Sequence, residues 1–231
     1  MKIVIPEFGH RSMTKDLVDC IPDDLLPDVY IGNDGYLEPQ EPIDKVNIIN
    51  WGDNVGFARN VNRTASEAYR SDNDEVLIII NNDVILEPEV LEQLADFATE
   101  TGGIVGPGII VPIQYSLKHA QLMSIDNMKA GIHRITAASG ACMAMTYRIW
   151  YALEGFDSTT FRAYFEDDDL CIRAQRDYGI PVTVNLDIKV CHEVGQTYVG
   201  TEQFNTIMES KKAFHKKYPD IKWDYTGEYE I

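Results

Sequence analysis

Val76-Leu77-Ile78-Ile79-Ile80-Asn81-Asn82-Asp83 is the stretch on which the fold turns. Five consecutive branched apolar residues predict a strand buried on both faces, the environment of a central strand in a parallel α/β sheet. Asn81, Asn82 and Asp83 would then lie just outside the carboxyl end of that strand, where such sheets bind ligands. A carboxylate there can hold a hard cation, which in turn can hold a diphosphate. Asn and Asp also favour ordinary turns and helix caps, so a plain βα turn is the competing reading.

Outward from this strand the chain alternates short β-like runs with helical patterns, the sign of α/β architecture. Lys2 to Ile5, Val29 to Ile31 and Val46 to Ile49 read as strands, and Asp16 to Ile21 as a short helix. Residues 36–45 read as loop, with two prolines. Phe57, Val61, Ala65 and Ala68 recur at helical spacing and predict a helix to about Tyr69, stopped by Ser71 to Asp74. Pro88 is expected at the first position of a helix striped by Val90, Leu91, Leu94, Phe97 and Ala98 and ended by Gly102-Gly103. The second half predicts a strand in Ile104 to Val111 interrupted by Gly106-Pro107-Gly108, and another in Ser139 to Met145. A helix follows over Asp167 to Tyr178 with Gly179 past its end, then strands at Pro181 to Val184 and Ile188 to Cys191, then a last helix from Thr201 to Tyr218.

Composition narrows the function. The 231 residues, 45% hydrophobic and 25% charged, suit one large folded domain or one with a small appendage. Twenty basic against 37 acidic residues give a net charge of −17, which argues against a general nucleic-acid binder and suits a divalent cation. Cys20, Cys142, Cys171 and Cys191 form no C-x-x-C pair, so neither a zinc ribbon nor a thioredoxin motif is present. With no signal-peptide core and no run long enough to span a bilayer, the expectation is a cytoplasmic protein with reduced thiols and no membrane span.

Three further constellations carry chemistry. Glu166-Asp167-Asp168-Asp169 opens a helix, whose partial positive end tolerates anions. That is ordinary capping with a solvated acidic face, or, beside Tyr164, Phe165 and Leu170, a place where one carboxyl is lifted into a general base. His192, just past a strand, is a metal ligand or an ordinary core or surface histidine. Gly56 opens a helix in Gly56-Phe57-Ala58-Arg59-Asn60, where backbone amides either meet an anion or simply start a helix. There is no G-x-G-x-x-G, no P-loop and no G-x-S-x-G elbow.

Taken together, these segments resemble the inverting family 2 glycosyltransferases of the GT-A fold, especially the rhamnosyltransferase-like branch, over about residues 2–196. The resemblance is carried by Val4-Ile5-Pro6-Glu7-Phe8, Ile31-Gly32-Asn33-Asp34-Gly35, Asn54-Val55-Gly56-Phe57-Ala58 with Asn62, and Val76 to Asp83 with Glu87-Pro88. Gly155-Phe156-Asp157 with Phe165 to Leu170 and Arg173, and then Val190-Cys191-His192, complete it. Each segment is weak alone; their order and spacing together are strong. Asn81 stands where the D-x-D motif has its first Asp, and Pro6-Glu7-Phe8-Gly9-His10 replaces the usual Tyr-Asn turn.

The resemblance implies one Rossmann-like domain over 1–231, with a mixed, mainly parallel central sheet flanked by helices. Residues 1–100 would bind the nucleotide sugar, 101–200 the acceptor, and 201–231 would be a C-terminal helix and tail. It implies transfer of a sugar from a UDP-, dTDP- or GDP-sugar to a hydroxyl acceptor, a glycan. Asp83 and His192 would hold Mn2+ or Mg2+, which stabilises the leaving phosphate as a Lewis acid. Asp167 would be the base, with Glu166 or Asp168 able to take that role in a run of four carboxylates. Pro6, Phe8, Asn33, Asp34, Gly56, Phe57, Arg59, Asn62, Asn81 and Asn82 would line the donor side, and Gly140, Ala141 and Asp168 the acceptor side. The rival expectations are a non-catalytic sugar-nucleotide or glycan binding module of the same fold, and a metal-dependent phosphohydrolase built on the acidic run.

Overall fold

The computed structural model describes residues 1–35, 42–69, 75–110, 130–193 and 201–221. Part of the expected 36–45 loop, the Ser71 to Asp74 stop, the Val111 strand end and most of the C-terminal tail lie outside them. In chain order the elements are β1 (Lys2–Glu7), α1 (Arg11–Asp19), a 3-10 turn (Leu26–Asp28), β2 (Val29–Asn33), β3 (Asn47–Asn50), α2 (Phe57–Ala68), β4 (Val76–Ile80) and β5 (Val84–Ile85). Then come α3 (Val90–Thr101), β6 (Ile104–Ile110), β7 (Ile132–Arg134), β8 (Cys142–Thr146), α4 (Tyr147–Ala152), α5 (Glu166–Tyr178), β9 (Val182–His192) and α6 (Thr201–Lys217).

All nine strands join one sheet in the order β3-β2-β1-β4-β8-β6-β9-β5, with β7 also on β9. Strands β3, β2, β1 and β4 run parallel, as do β6 and β9. β8 is antiparallel to both β4 and β6, and β5 and β7 are antiparallel to β9. The sheet is therefore mixed, its parallel pairings concentrated in the first half. The two reversals through β8 restore the direction, so the carboxyl ends of β1, β2, β3, β4, β6 and β9 all fall on one edge.

β4 is central for the reason its sequence gives. Ile78 and Ile80 pack with Ile3, Ile5 and Ile31 against α1 and α3, while Leu77 and Ile79 pack with Val4, Met143 and Met145 against α2 and α5. All five β4 side chains are buried. No helix among the described residues is long and apolar enough to cross a membrane.

Several boundaries differ from expectation. α1 starts at Arg11, not Asp16, behind a left-handed His10 with no side-chain cap, so no capping residue marked its start. α3 begins at Val90, two residues past Pro88, because Glu87 to Glu89 form a turn whose Glu87 carbonyl accepts the Val90 N–H at 3.1 Å. Gly106-Pro107-Gly108 does not interrupt β6; the irregularity is a register shift against β9 at Pro107/Gly108. β9 is correspondingly one strand, not two, with Leu186 to Ile188 as the excess residues of the bulge.

Candidate active site

The carboxyl edge of the sheet gathers most of the polar residues singled out by sequence. β5 pairs antiparallel with the end of β9, Val84 opposite His192, and the Glu193 N–H donates to the Asp83 carbonyl at 2.9 Å. This ladder carries Asp83 Oδ1 to 3.0 Å from His192 Nε2, with both side chains under a tenth exposed. The two atoms approach without hydrogen-bond geometry, and His192 Nδ1 is also buried with no hydrogen-bond partner. Two ligand-type atoms meeting in this way fit a shared divalent cation. No group of three or more His, Cys, Asp or Glu able to hold a metal occurs among the described residues. Mg2+-like ions keep water and substrate phosphate ligands, so a protein pair of one carboxylate and one imidazole suits them when a diphosphate supplies other positions.

Asn81 and Ala141 tie this loop to the second half of the site. The Asn81 N–H donates to the Ala141 carbonyl at 2.9 Å, while Asn81 Oδ1 is buried without a partner. One residue earlier, the Gly140 N–H donates to Asp167 Oδ2 at 2.7 Å, and the Asp168 N–H donates to Asp167 Oδ1 at 3.0 Å. Asp167 is thus aimed by backbone donors on both oxygens. A Cβ at Gly140 would sit 3.3 Å from Asp167 Oδ2, so the glycine permits this close approach.

The four carboxylates of the acidic run have different environments, and this separates their roles. Burial raises the Asp167 carboxyl, and the Gly140 and Asp168 amides pull it back. Glu166 is 5% exposed with Oε2 unpartnered, and burial, then the neighbouring Asp167 charge, hold it well above the usual carboxylate range. Asp168 is partly buried, and its backbone N–H serves Asp167. Asp169 is fully buried and paired with Arg173 at 2.8 Å, a structural use of a carboxylate that the sequence ran together with its neighbours.

On the β1–β3 side, Asp34 Oδ2 accepts the Val55 N–H at 3.2 Å, and Oδ1 is buried without a partner. Burial pushes its carboxyl up to about 6, the Val55 amide opposing. Between the ordinary 3.8 and about 6 the folded chain holds a proton that the unfolded chain has lost. Asp34 therefore contributes stability below that window that is lost as pH rises through it. Asp34→Asn is expected to flatten this part of the pH–stability curve and to raise the denaturation midpoint of the ligand-free protein at pH 7. Chemical denaturation of both proteins from pH 4 to 7 checks it.

The remaining donor-side residues divide. Pro6 is buried in β1, in register with Gly32. Phe8 is 37% exposed and lies over Gly35, where a Cβ would come within 2.7 Å of its ring. Asn33 Nδ2 donates to Asn50 Oδ1 at 2.6 Å, leaving Asn33 Oδ1 buried and unpartnered. Asn82 instead turns to α1, its Nδ2 donating to Thr14 Oγ1 at 3.1 Å. Asn62 is spent on a distant loop, its amide pairing with both the N–H and the carbonyl of Phe156 at 2.9 and 2.8 Å. Phe57 packs on Phe156 with ring centroids 5.8 Å apart, and Arg59 is exposed. Gly56 has φ 87°, and a Cβ there would come within 2.8 Å of the Arg162 carbonyl, which also takes the Ala58 N–H at 3.4 Å. One amide of the first turn of α2 is thus taken by the chain's own backbone.

Sequence reading missed Glu7 and Arg11. Glu7 is fully buried at the end of β1 and pairs with Arg11 at 2.9 Å, where Arg11 Nε and Nη1 are buried without hydrogen-bond partners. No local pattern marks the pair, because Glu7 ends β1 and Arg11 starts α1, so their spacing of four is not that of neighbours on one helix. With the single exception of Thr183 Oγ1, the buried side-chain polar atoms without hydrogen-bond partners among the described residues belong to Glu7, Arg11, Asn33, Asp34, Asn81, Asp83, Glu166 and His192. All of these sit at the carboxyl edge or on the loops and helix starts that border it. Buried polar groups are ordinarily satisfied, so such a concentration makes this edge the candidate surface for a polar ligand.

The fold is similar to that in the crystal structure of GalNAc-T7 with UDP, GalNAc and Mn2+, with a TM-score of 0.66 and 13% sequence identity over 94% of this chain and 50% of that one. The chain thus spans half the length of that solved chain. The nine-stranded mixed sheet flanked by helices is a GT-A fold. No protein-family model matches the sequence. No curated protein matches it either.

Proposed function

We propose that this chain is an inverting glycosyltransferase of the family 2, rhamnosyltransferase-like kind, moving one sugar from a nucleoside-diphosphate sugar to a hydroxyl of a glycan acceptor. The observation that carries the reading is the convergence of partnerless buried polar atoms from Asp34, Asn81, Asp83, Glu166 and His192 on one sheet edge, beside an Asp167 aimed by two amides. The GalNAc-T7 structure, which contains UDP, GalNAc and Mn2+, supports a nucleotide-sugar donor and a divalent ion for a fold of this kind.

In this mechanism Asp34 Oδ1 accepts an N–H of the nucleobase, and the exposed Phe8 ring over the next residue, Gly35, packs beside the base. Asp83 and His192 hold Mn2+ or Mg2+, which when bound neutralises charge on the diphosphate leaving group. Asp167 takes the proton of the acceptor hydroxyl as its oxygen forms a bond to the anomeric carbon. The bond from that carbon to the diphosphate oxygen breaks, and the electron pair leaves with the nucleoside diphosphate. Attack from the face opposite the leaving group inverts the anomeric centre and needs one base. Burial and the neighbouring Asp167 charge raise the Glu166 carboxyl, which disfavours a second charge beside the ionised base.

The test is nucleoside diphosphate release from UDP-, dTDP- and GDP-sugars with Mn2+, with and without a panel of oligosaccharide acceptors, and NMR of the product anomer. Acceptor-dependent release with inversion is the expected result. Binding without release would favour a sugar-nucleotide binding module, and release without acceptor dependence a phosphohydrolase.

A further inference from the structure

We infer that the C-terminal helix α6 is a strap that sets the position of Asp167, acting through Lys217 and Tyr218 on Asp169. Asp169 lies two residues beyond Asp167 in the first turn of α5 and is fully buried. Its Oδ1 accepts from Tyr218 Oη at 2.7 Å and pairs with Lys217 Nζ at 2.6 Å, while its Oδ2 accepts from Arg173 Nε at 2.8 Å. Lys217 Nζ also reaches Asp157 Oδ2 at 2.7 Å, and Arg173 Nη2 donates to the Gly155 carbonyl at 2.8 Å. One buried carboxylate thereby joins α5, the end of α6 and the loop that leads into the acidic run.

The segment before α5 has its own need for such support. Tyr164 and Phe165 are consecutive non-glycine residues with left-handed φ of 68° and 69°. Such a backbone persists only where its surroundings over-determine it. α6 contributes that determination: Phe214 packs on Phe165 with centroids 5.1 Å apart, and Ser210 Oγ donates to the Ala163 carbonyl at 2.7 Å. With Phe165 as the N-cap residue of α5, the strap fixes the turn from which Asp167 meets the Gly140 amide. Lys217 and Tyr218 are positioning residues; they act on Asp167 only through Asp169.

Amide hydrogen exchange in the ligand-free protein tests this without reference to activity. The Lys217→Met/Tyr218→Phe double variant is expected to speed exchange at Gly140 and Asp168 about tenfold, as loss of hydrogen bonds to a charged group implies. Exchange in β1 and β4 should stay at the parent rate. Tyr218→Phe alone should give a smaller change of the same sign, and it keeps the test available if the double variant does not fold. Lys217→Arg should hold parent protection, and Lys15→Met, which breaks the exposed Lys15–Asp19 pair, is the control for loss of a lysine. Parent-like exchange at Gly140 and Asp168 in the folded variants would overturn the strap.

A second arm rests on the proposed reading of Asp167 as the base. There the strap variants should lower kcat for nucleoside diphosphate release with an unchanged KM for the donor, and Lys217→Arg should restore kcat. Faster exchange with an unchanged kcat would leave the strap standing and remove the base assignment.

Discussion

Asp167→Asn is expected to lower the rate of sugar transfer about 10³-fold, within the range contributed by a positioned general base, while donor affinity stays at the parent value. The substitution keeps the shape of the side chain and one oxygen for the Gly140 or Asp168 N–H, so it removes basicity with little change of packing. Glu166→Gln provides the internal comparison. Burial and the adjacent Asp167 charge raise the Glu166 carboxyl and disfavour its ionised form, so a neutral amide of equal size should cost far less rate than Asp167→Asn. Rate constants and donor dissociation constants for both variants decide between the adjacent carboxylates. A large loss in Glu166→Gln with a small loss in Asp167→Asn would transfer the base assignment to Glu166.

The second large effect is expected from Asp83→Ala and His192→Ala, singly and together. Even outer-sphere partners of a metal are worth 10–100-fold in metal affinity, so removal of a direct ligand should weaken the Mn2+-dependent part of donor binding by about 100-fold or more. The double variant should lose little beyond either single one, because both side chains would serve the same ion. The β5–β9 pairing is made by backbone groups, so the loop geometry should survive the substitutions. Titration of the donor with and without Mn2+ measures the effect. Equal affinity with and without Mn2+ in the parent would remove the metal from the mechanism.

The central part of the fold was legible because its signals are local. Val76 to Ile80 has no polar residue to place in solvent, and both faces of β4 are covered. Gly179 is left-handed at the end of α5, and Gly102 at the end of α3, as glycine after a helical pattern predicts. β5 is only two residues long and carries no period of its own, yet it brings Asp83 to His192. Family resemblance names that pair, whereas nothing in the spacing of the two residues specifies it.

Side-chain roles were less legible than side-chain places. Asn62 and Asp34 both read as polar residues near a nucleotide, but one satisfies the Phe156 backbone and the other keeps a partnerless oxygen. The sequence also makes Glu166, Asp167 and Asp169 look alike. Only burial and the partners contributed by Gly140, Arg173, Lys217 and Tyr218 distinguish an acid with an unpartnered oxygen, an aimed carboxylate and an anchored one.

Nucleotide binding at the carboxyl edge is the step on which the proposed function rests most directly, and thermal unfolding measured with UDP, dTDP and GDP compounds, with and without Mn2+, tests it. At 100 times its dissociation constant a specific nucleotide should stabilise the folded chain by about 2.7 kcal/mol. The predicted result is a Mn2+-dependent rise with one nucleotide class, lost in Asp83→Ala and retained in Asp167→Asn. No stabilisation by any of these nucleotides, or stabilisation that Asp83→Ala leaves intact, would contradict it.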